Sequence, residues 1–378
     1  MHSRVGSAPG RLDLLGGVAD YAGARVLEVA THRATTVTAD ADDELVVGPV
    51  RIGVDDMFAL AALPYPDVRD ALTSFPRWTH YVLGVAVVLV RHRVIDPPRA
   101  RLSIASDVPP SIGVSSSAAL EVATARALGG GEIEPLRLAA LCQEAENQVV
   151  GAPCGIMDQV VVTVGRSGAV LPILCRPAAV EPIVSLPDDL EVVGVPTGAE
   201  HDVSGVPYRC ARVAAFMGKR MVEEATGSRG PWISELPPDA VAALPDMLDG
   251  ATFRDRWGGT DDPLTAIDPD ATYPVRAATA FGGEEHRRSA ALVGALERRD
   301  LGAIRHLMAA SHAGYDAMGL GHPAASSTVD AMLTRPDVHG ARSSGGGSGG
   351  TIVVMCERGA LDDVDDLIRY LHPSRGAQ

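Results

Sequence analysis

Ser111-Ile112-Gly113-Val114-Ser115-Ser116-Ser117-Ala118-Ala119 is the stretch on which the reading of this chain turns. An expected strand over 101–105 and the turn-prone Asp107-Val108-Pro109-Pro110 precede it, and an alanine-rich helix is expected over 115–128. A glycine at 113 lets the backbone approach a ligand closely. The first amides of a helix have no partner inside it, and the helix dipole turns its positive end toward them. Small serines leave room for a polyphosphate and add hydroxyl donors. Pro110, Gly113, Ser115, Ser116 and Ser117 therefore form a candidate phosphate loop without a lysine. Taken alone, the same residues describe a Ser-capped helix equally well. A Walker-type loop is absent, since the chain's Gly218-Lys219 is followed by Arg220.

Outward from this point the chain mixes helices and strands. Strands are expected over 26–30, 34–38, 170–174 and 191–195. Helices are expected over 77–93, 136–147, 208–224, 286–298, 301–311, 326–333 and 362–371. The stretch 227–270 is rich in Gly, Pro and Asp and reads as irregular. No strict βαβ alternation runs through this order, so the class is α+β. A length of 378 residues suggests two domains, divided as 1–180 and 181–378. The formal net charge of −15 and the lack of a basic stripe argue against a nucleic-acid partner. An acidic chain must build any anion site locally, from helix N-termini, backbone amides or a metal. Five cysteines without CxxC spacing argue against a disulfide framework and suit a reducing cytoplasm. Residues 1–10 show no apolar signal core, and the longest strongly apolar run, 81–90, is far short of the ~20 residues of a membrane span.

A second glycine motif is Gly345-Gly346-Gly347-Ser348-Gly349-Gly350. It contains the spacing GxGxxG, but Thr351-Ile352-Val353-Val354-Met355 behind it reads as a strand, where a dinucleotide fold requires a helix. Either a flexible hairpin loop or a loop closing over a phosphate or sugar fits the residues.

Three segments in order resemble the motifs of the GHMP kinases: Ala8-Pro9-Gly10-Arg11 with Gly16 and Asp20-Tyr21, then 110–120, then Gly340-Ala341-Arg342 through Gly350. Gly151-Ala152-Pro153-Cys154-Gly155-Ile156-Met157-Asp158-Gln159 resembles the galactokinase branch. Arg11-Leu12-Asp13, Gly16-Gly17-Val18-Ala19-Asp20-Tyr21, Ala215-Phe216-Met217-Gly218 and Gly319-Leu320-Gly321 are similar to the L-arabinokinases. The plant members of that branch carry a further N-terminal region. The resemblance implies a two-domain GHMP kinase fold, with an N-terminal domain of the ribosomal protein S5 domain 2-like type and a ferredoxin-like C-terminal domain. It implies phosphoryl transfer from ATP, with Mg²⁺, to the anomeric hydroxyl of a small-molecule sugar. Asp158 matches the catalytic carboxylate, which would accept or orient the proton of the anomeric hydroxyl. Arg11 would pair with Asp158 or face the γ-phosphate. Ser117 and Glu146 match the Mg²⁺ ligands, a hydroxyl and a carboxylate that suit a hard octahedral cation. Trp78 matches an aromatic lying against adenine, and Gly345, Gly346 and Gly347 would come back to the nucleotide. Asp20 and Tyr208 match groups that bind ring hydroxyls, and Gly155 would meet the sugar through its backbone. His201 and Asp202 precede Tyr208 but are given no role, and His80 and His312 read as structural or exposed.

The departure from galactokinases lies at Gly17 and Val18, where that branch has Glu-His recognising the 6-hydroxyl of galactose. Without the pair, that hydroxyl is buried without partners, a cost of about 1–3 kcal/mol. L-Arabinose shares the ring stereochemistry of galactose but lacks the hydroxymethyl group, so it is the expected substrate, with a methyl surface from Val18. A 6-deoxy sugar meets the same condition. Restoring Glu at 17 and His at 18 is expected to raise galactose use. The alternatives are a galactokinase, and a sensor that binds sugar and ATP without chemistry. The intact Arg11, Ser117, Glu146 and Asp158 speak against the sensor.

Overall fold

A computed structural model of the chain describes residues 3–199, 205–230 and 232–370. Their contacts divide into two compact units made of interleaved segments. The first holds the described residues of Met1–Arg11, Ala30–Pro110 and Ser115–Gly165; the second holds those of Leu12–Val29, Ser111–Val114 and Arg166–Gln378. These units describe packing, whereas the division expected at residue 180 is one of the linear chain. The chain passes from one to the other within the strands Arg4–Leu15 and Arg25–Ala41.

In the first unit, residues 35–41 pair antiparallel with the strand Ala100–Ser106, from Thr35 opposite Ser106 to Ala41 opposite Ala100. Leu45–Val47 continues the sheet and turns back into Val50–Ile52. The helix Thr79–Arg91 is apolar all round and buried from Val82 to Val90, so it sits inside the helical layer. The helix Ser116–Ala127 presents Ala118, Ala119, Ala123 and Ala125. Gly6, which has no side chain, lets its strand approach this helix so closely that a Cβ there would lie 2.1 Å from the Ala123 carbonyl oxygen.

The second unit holds a four-stranded antiparallel sheet in the order Val338–Ser343, Thr351–Glu357, Leu190–Pro196, Ile368–Arg369. Thr351–Glu357 is central, which explains the consecutive apolar run Ile352-Val353-Val354-Met355. The helices Val206–Thr226 and Val275–Arg298 lie together, with Gly218 against Thr279. Residues 25–28 pair with Ala169–Leu174 in the same unit.

Four sequence expectations are corrected. The strands expected at 26–30 and 34–38 are one strand, Arg25–Ala41, because Thr31-His32-Arg33 contains no turn residue. The helix expected at 286–298 starts at Val275; the alanines before it favour helix, and Gly282 is tolerated because Ala22 comes too close for a side chain. The stretch 227–270 is not wholly irregular, containing the helices Pro238–Ala242 and Gly250–Trp257 and the strand Leu248–Asp249 paired with Thr272–Tyr273. Over the described part of 362–371 there are turns and the strand Ile368–Arg369 in place of a helix. Asp362, Asp363, Asp365 and Asp366 would repel one another at helical spacing, and Arg369 instead bonds Glu191 and Asp362.

Candidate active site

Ser115 does not cap its helix. It lies in the left-handed region (φ 60°, ψ 45°), makes no side-chain cap bond, and its buried Oγ has no partner among the described residues. An N-cap serine takes extended backbone angles and bonds an amide one turn on. The capped-helix alternative therefore fails, and the first amides of Ser116–Ala127 stay open to an anion. Ser116 and Ser117 open this helix in the first unit, where Pro110 is exposed. Gly113 (φ 76°) belongs to the second unit.

Asp158 stands in the first turn of the helix Met157–Val164. Arg11, 2% exposed, grips it with a two-pronged fork: Nε donates to Oδ1 at 2.9 Å and Nη2 to Oδ2 at 3.2 Å. Such a fork fixes the plane of the carboxylate as well as its position. Glu146 is buried nearby on a single π-helical turn, Ala145–Val150, that continues the helix Pro135–Glu144. π-turns interrupt α-helices frequently at functional sites, where the extra residue re-aims a side chain. Burial and the charge of Asp158 push the Glu146 carboxyl up to about 7, against bonds from Ser117, Cys154 and Gln159. Gln159 Nε2 donates to Glu146 Oε2 at 2.6 Å and to Glu121 Oε2 at 3.2 Å. Glu121 is fully buried, and burial followed by the Glu146 charge drives its carboxyl well up. Its Oε1 has no partner among the described residues.

The Ser117 hydroxyl and the Glu146 carboxylate are thus hard oxygen donors in contact, beside a carboxylate oxygen that lacks a donor. That donor set fits Mg²⁺. Among the described residues no group of three or more His, Cys, Asp and Glu could cage a metal. A cation that takes most of its ligands from phosphate and water matches this sparse set. Trp78 is 43% exposed, with its indole edge across Gly48 of the turn between Leu45–Val47 and Val50–Ile52. Gly155 is buried in the segment before Asp158.

In the second unit, Asp20 ends the 3-10 turn Gly17–Asp20, and its Oδ1 accepts the Tyr21 N–H at 2.6 Å. Tyr21 meets Tyr208 edge to face, with centroids 6.1 Å apart. The Arg212 guanidinium lies 5.1 Å over Tyr21 and forks onto the buried Asp262 at 2.8 and 2.9 Å. Asp20 and Tyr208 are therefore brought to one cluster, braced by a buried ion pair. Gly17 has φ 52°, and a Cβ on it would lie 1.7 Å from the Tyr315 hydroxyl. No side chain fits there, so the expected rescue by Glu at 17 is corrected. Val18 is 2% exposed within the apolar cluster around Tyr208 and Tyr315, and so presents almost no open methyl surface. Residues 345–350 are not a flexible loop. Gly345, Gly346 and Gly347 are buried, the Ser348 N–H bonds the Leu320 carbonyl at 2.7 Å, and a Cβ on Gly347 would strike the Tyr315 ring. Just beyond the loop, the Thr351 hydroxyl bonds the Ile112 carbonyl at 2.7 Å, which ties this end to the start of the serine motif. His80 and His312 are buried, and His201 and Asp202 lie outside the described residues.

Sequence reasoning gave no role to Glu121, Gln159, Asp13, Tyr315 or Asp262. Asp13 and Gln159 stand inside segments that resemble the family's motifs, Glu121 is a carboxylate in a helix expected to be rich in alanine, and Tyr315 and Asp262 are placed by contacts distant in sequence.

Among the described residues no helix is long and apolar enough to cross a membrane, and none of the cysteines forms a disulfide. The family pattern "GHMP kinases N terminal domain" matches residues 80–166, "GHMP kinases C terminal" matches 292–371, and "Galactokinase galactose-binding signature" matches 2–41. The L-arabinokinase of Arabidopsis thaliana is 30% identical over 93% of this chain, which spans 42% of that protein's length. The galactokinase of Chloroflexus aggregans is 32% identical, covering 96% of this chain and 86% of that protein. The structure of Lactococcus lactis galactokinase complexed with galactose superposes with a TM-score of 0.77 at 19% identity, over 98% of this chain and 94% of that one, a likeness of fold.

Proposed function

Because the chain belongs to the GHMP kinases and is a sugar 1-kinase of the galactokinase and arabinokinase type, we propose that it moves the γ-phosphate of ATP to the anomeric oxygen of L-arabinose. The observation that carries the chemistry is the Arg11–Asp158 fork beside the Ser117–Glu146 pair. Asp158 accepts the proton of the anomeric hydroxyl, whose oxygen forms the new bond to phosphorus as the bond to ADP breaks. Arg11 holds the carboxylate in one orientation, so little reorganisation remains at the moment of transfer. The open amides of Ser116–Ala127 and the Ser115 hydroxyl hold phosphate oxygens. Ser117 and Glu146 would hold Mg²⁺, which when bound neutralises charge on the phosphates. Trp78 offers a face to adenine, and Gly345, Gly346 and Gly347 border the phosphates. Asp20 accepts hydrogen bonds from ring hydroxyls, with Tyr208 beside it and Gly155 meeting the sugar through its backbone.

L-Arabinose is preferred because Tyr315 fills the space that a side chain at Gly17 would need, and Val18 is apolar and buried. Neither position offers a partner to a 6-hydroxyl. The test is ADP release with Mg·ATP across about twenty aldoses, with kcat/KM for L-arabinose expected above that for galactose. Galactose turnover equal or higher rejects the pentose. Sugar binding without any ADP supports a sensor instead. Galactokinase is the second reading, favoured by the galactose-binding signature at 2–41 and by the relatives of that name, of whose length the chain covers more.

A further inference from the structure

Two buried side chains in the second unit hold the sugar turn and the glycine loop at once. Asp13 is fully buried. Its Oδ1 accepts the Gly17 N–H at 3.0 Å, and its Oδ2 accepts the Gly345 N–H at 3.1 Å. Arg342, equally buried, donates Nη1 to Asp13 Oδ2 at 2.9 Å and to the Asp13 carbonyl at 3.1 Å. Tyr315, also fully buried, accepts the Val18 N–H on its hydroxyl at 3.2 Å and donates that hydroxyl to the Gly345 carbonyl. Its ring lies against Gly347 and under the Arg342 guanidinium, 5.1 Å away.

The consecutive amides of Gly17 and Val18, and both the N–H and the C=O of Gly345, are therefore committed to the same pair of side chains. A rotation of either peptide segment breaks a buried hydrogen bond on the other. Bonds of this kind are costly to lose without water to replace them, and a network in low dielectric behaves as a unit. Gly17 admits no side chain for the same reason that the link is short: the Tyr315 hydroxyl occupies that space.

We propose that Asp13 and Tyr315 are positioning residues that couple the turn Gly17–Asp20 to the glycine loop at Gly345, so that sugar and nucleotide each raise the protein's affinity for the other. This rests on the sugar 1-kinase reading, in which the turn meets the sugar and the loop meets the nucleotide. Coupling is a ratio of affinities and is reciprocal. Isothermal titration of full-length protein with a non-hydrolysable Mg·ATP analogue, with and without saturating L-arabinose and then D-galactose, reads that ratio directly. Wild type should bind the analogue about tenfold tighter with its preferred sugar present. Tyr315→Phe keeps the ring and removes both hydrogen bonds, and should bring the ratio below about twofold. Asp13→Asn should do the same. Phe281→Leu is the control: Phe281 meets the Tyr315 ring edge-on at 5.5 Å and no bond from it to either loop enters the network, so the ratio should persist though thermal stability falls. A structural role alone would lower stability in all three variants and leave the ratio intact.

A wild-type ratio of one, or an unchanged ratio in Tyr315→Phe, overturns the coupling even where turnover of an aldose upholds the kinase reading. Wild type that binds sugar and analogue but forms no ADP from ATP overturns the kinase reading, and the ratio then still decides the coupling. Wild type that binds neither ligand overturns both. If Tyr315→Phe does not fold, Asp13→Asn and the wild-type ratio remain decisive.

Discussion

Asp158 and Arg11 act as one device, since the guanidinium fork sets the direction in which the carboxylate oxygens point. Asp158→Asn keeps the volume, offers an amide where a base is needed and disrupts one prong of the fork. Turnover should fall by about 10²–10⁴-fold, while the Kd for ATP measured by titration stays within about twofold. Retained turnover would mean that another group takes the proton. Gly17 gives the opposite kind of prediction. With φ 52° and the Tyr315 hydroxyl 1.7 Å from a Cβ, Gly17→Glu combines backbone strain with a buried clash. It should cost about 2–4 kcal/mol in chemical denaturation without raising kcat/KM for galactose, with or without Val18→His. These two positions also mark what was legible. Asp158 and Arg11 stand in motifs whose order along the chain announces them. Tyr315 meets Val18 across 297 residues of sequence, and no local pattern signals such a contact.

Elements position these residues, and the π-turn Ala145–Val150 does so most directly. It brings Glu146 under the Gln159 amide, which also holds Glu121. Gln159→Leu removes the donor from two buried carboxylates and should lower stability by about 2–4 kcal/mol in urea unfolding; a loss below about 0.5 kcal/mol would show that the bridge is idle. Periodicity predicts the helix here but not its π-turn, because the turn closes the helix at Ala145–Val150 and no further apolar period follows to reveal the phase shift of the extra residue. The long helix Val275–Arg298 was half visible: its second half has clear periodicity, while the glycines at 282 and 283 masked the first. The same helix carries a pH dependence. His286 Nδ1 accepts the Arg25 N–H at 2.9 Å, which requires the neutral ring. Burial, then the charges of Arg176 and Arg25, lower its pKa below the ordinary 6.5, against Glu181 and Glu235. The unfolded chain therefore binds this proton more readily than the folded one. The stability from this site is complete above about pH 6.5 and is lost as the pH falls through the lowered folded value. His286→Asn retains an acceptor without a titration, so its Tm should fall less steeply between pH 7 and 5 than that of wild type; equal slopes would remove His286 from the account.

The whole chain carries a net charge of −15 and must still bind a polyanion. On the function proposed above, short-range groups hold it: the open amides of Ser116–Ala127, the buried Ser115 hydroxyl and the buried Arg11. Composition shows the need for such local groups, since an acidic chain without a basic stripe must take them from helix N-termini, backbone amides or a metal. The network through Asp13 and Tyr315 was not legible, because it depends on where distant segments meet. The combination has a consequence for salt dependence. Exposed charges act over the Debye length, which shrinks from about 30 Å at 0.01 M to about 8 Å at 0.15 M ionic strength. Buried dipoles and ion pairs within contact distance are screened far less. Raising the salt over this range should therefore weaken the long-range repulsion between protein and nucleotide while leaving the local site intact. At constant pH and constant Mg·ATP speciation, kcat/KM for the nucleotide should rise by about twofold. A phosphate site built on exposed lysines and arginines would give the opposite sign, with affinity falling as salt is added. A steep fall in kcat/KM between 0.01 and 0.15 M would show that mobile surface cations hold the nucleotide, and the serine-lined helix N-terminus would lose its role.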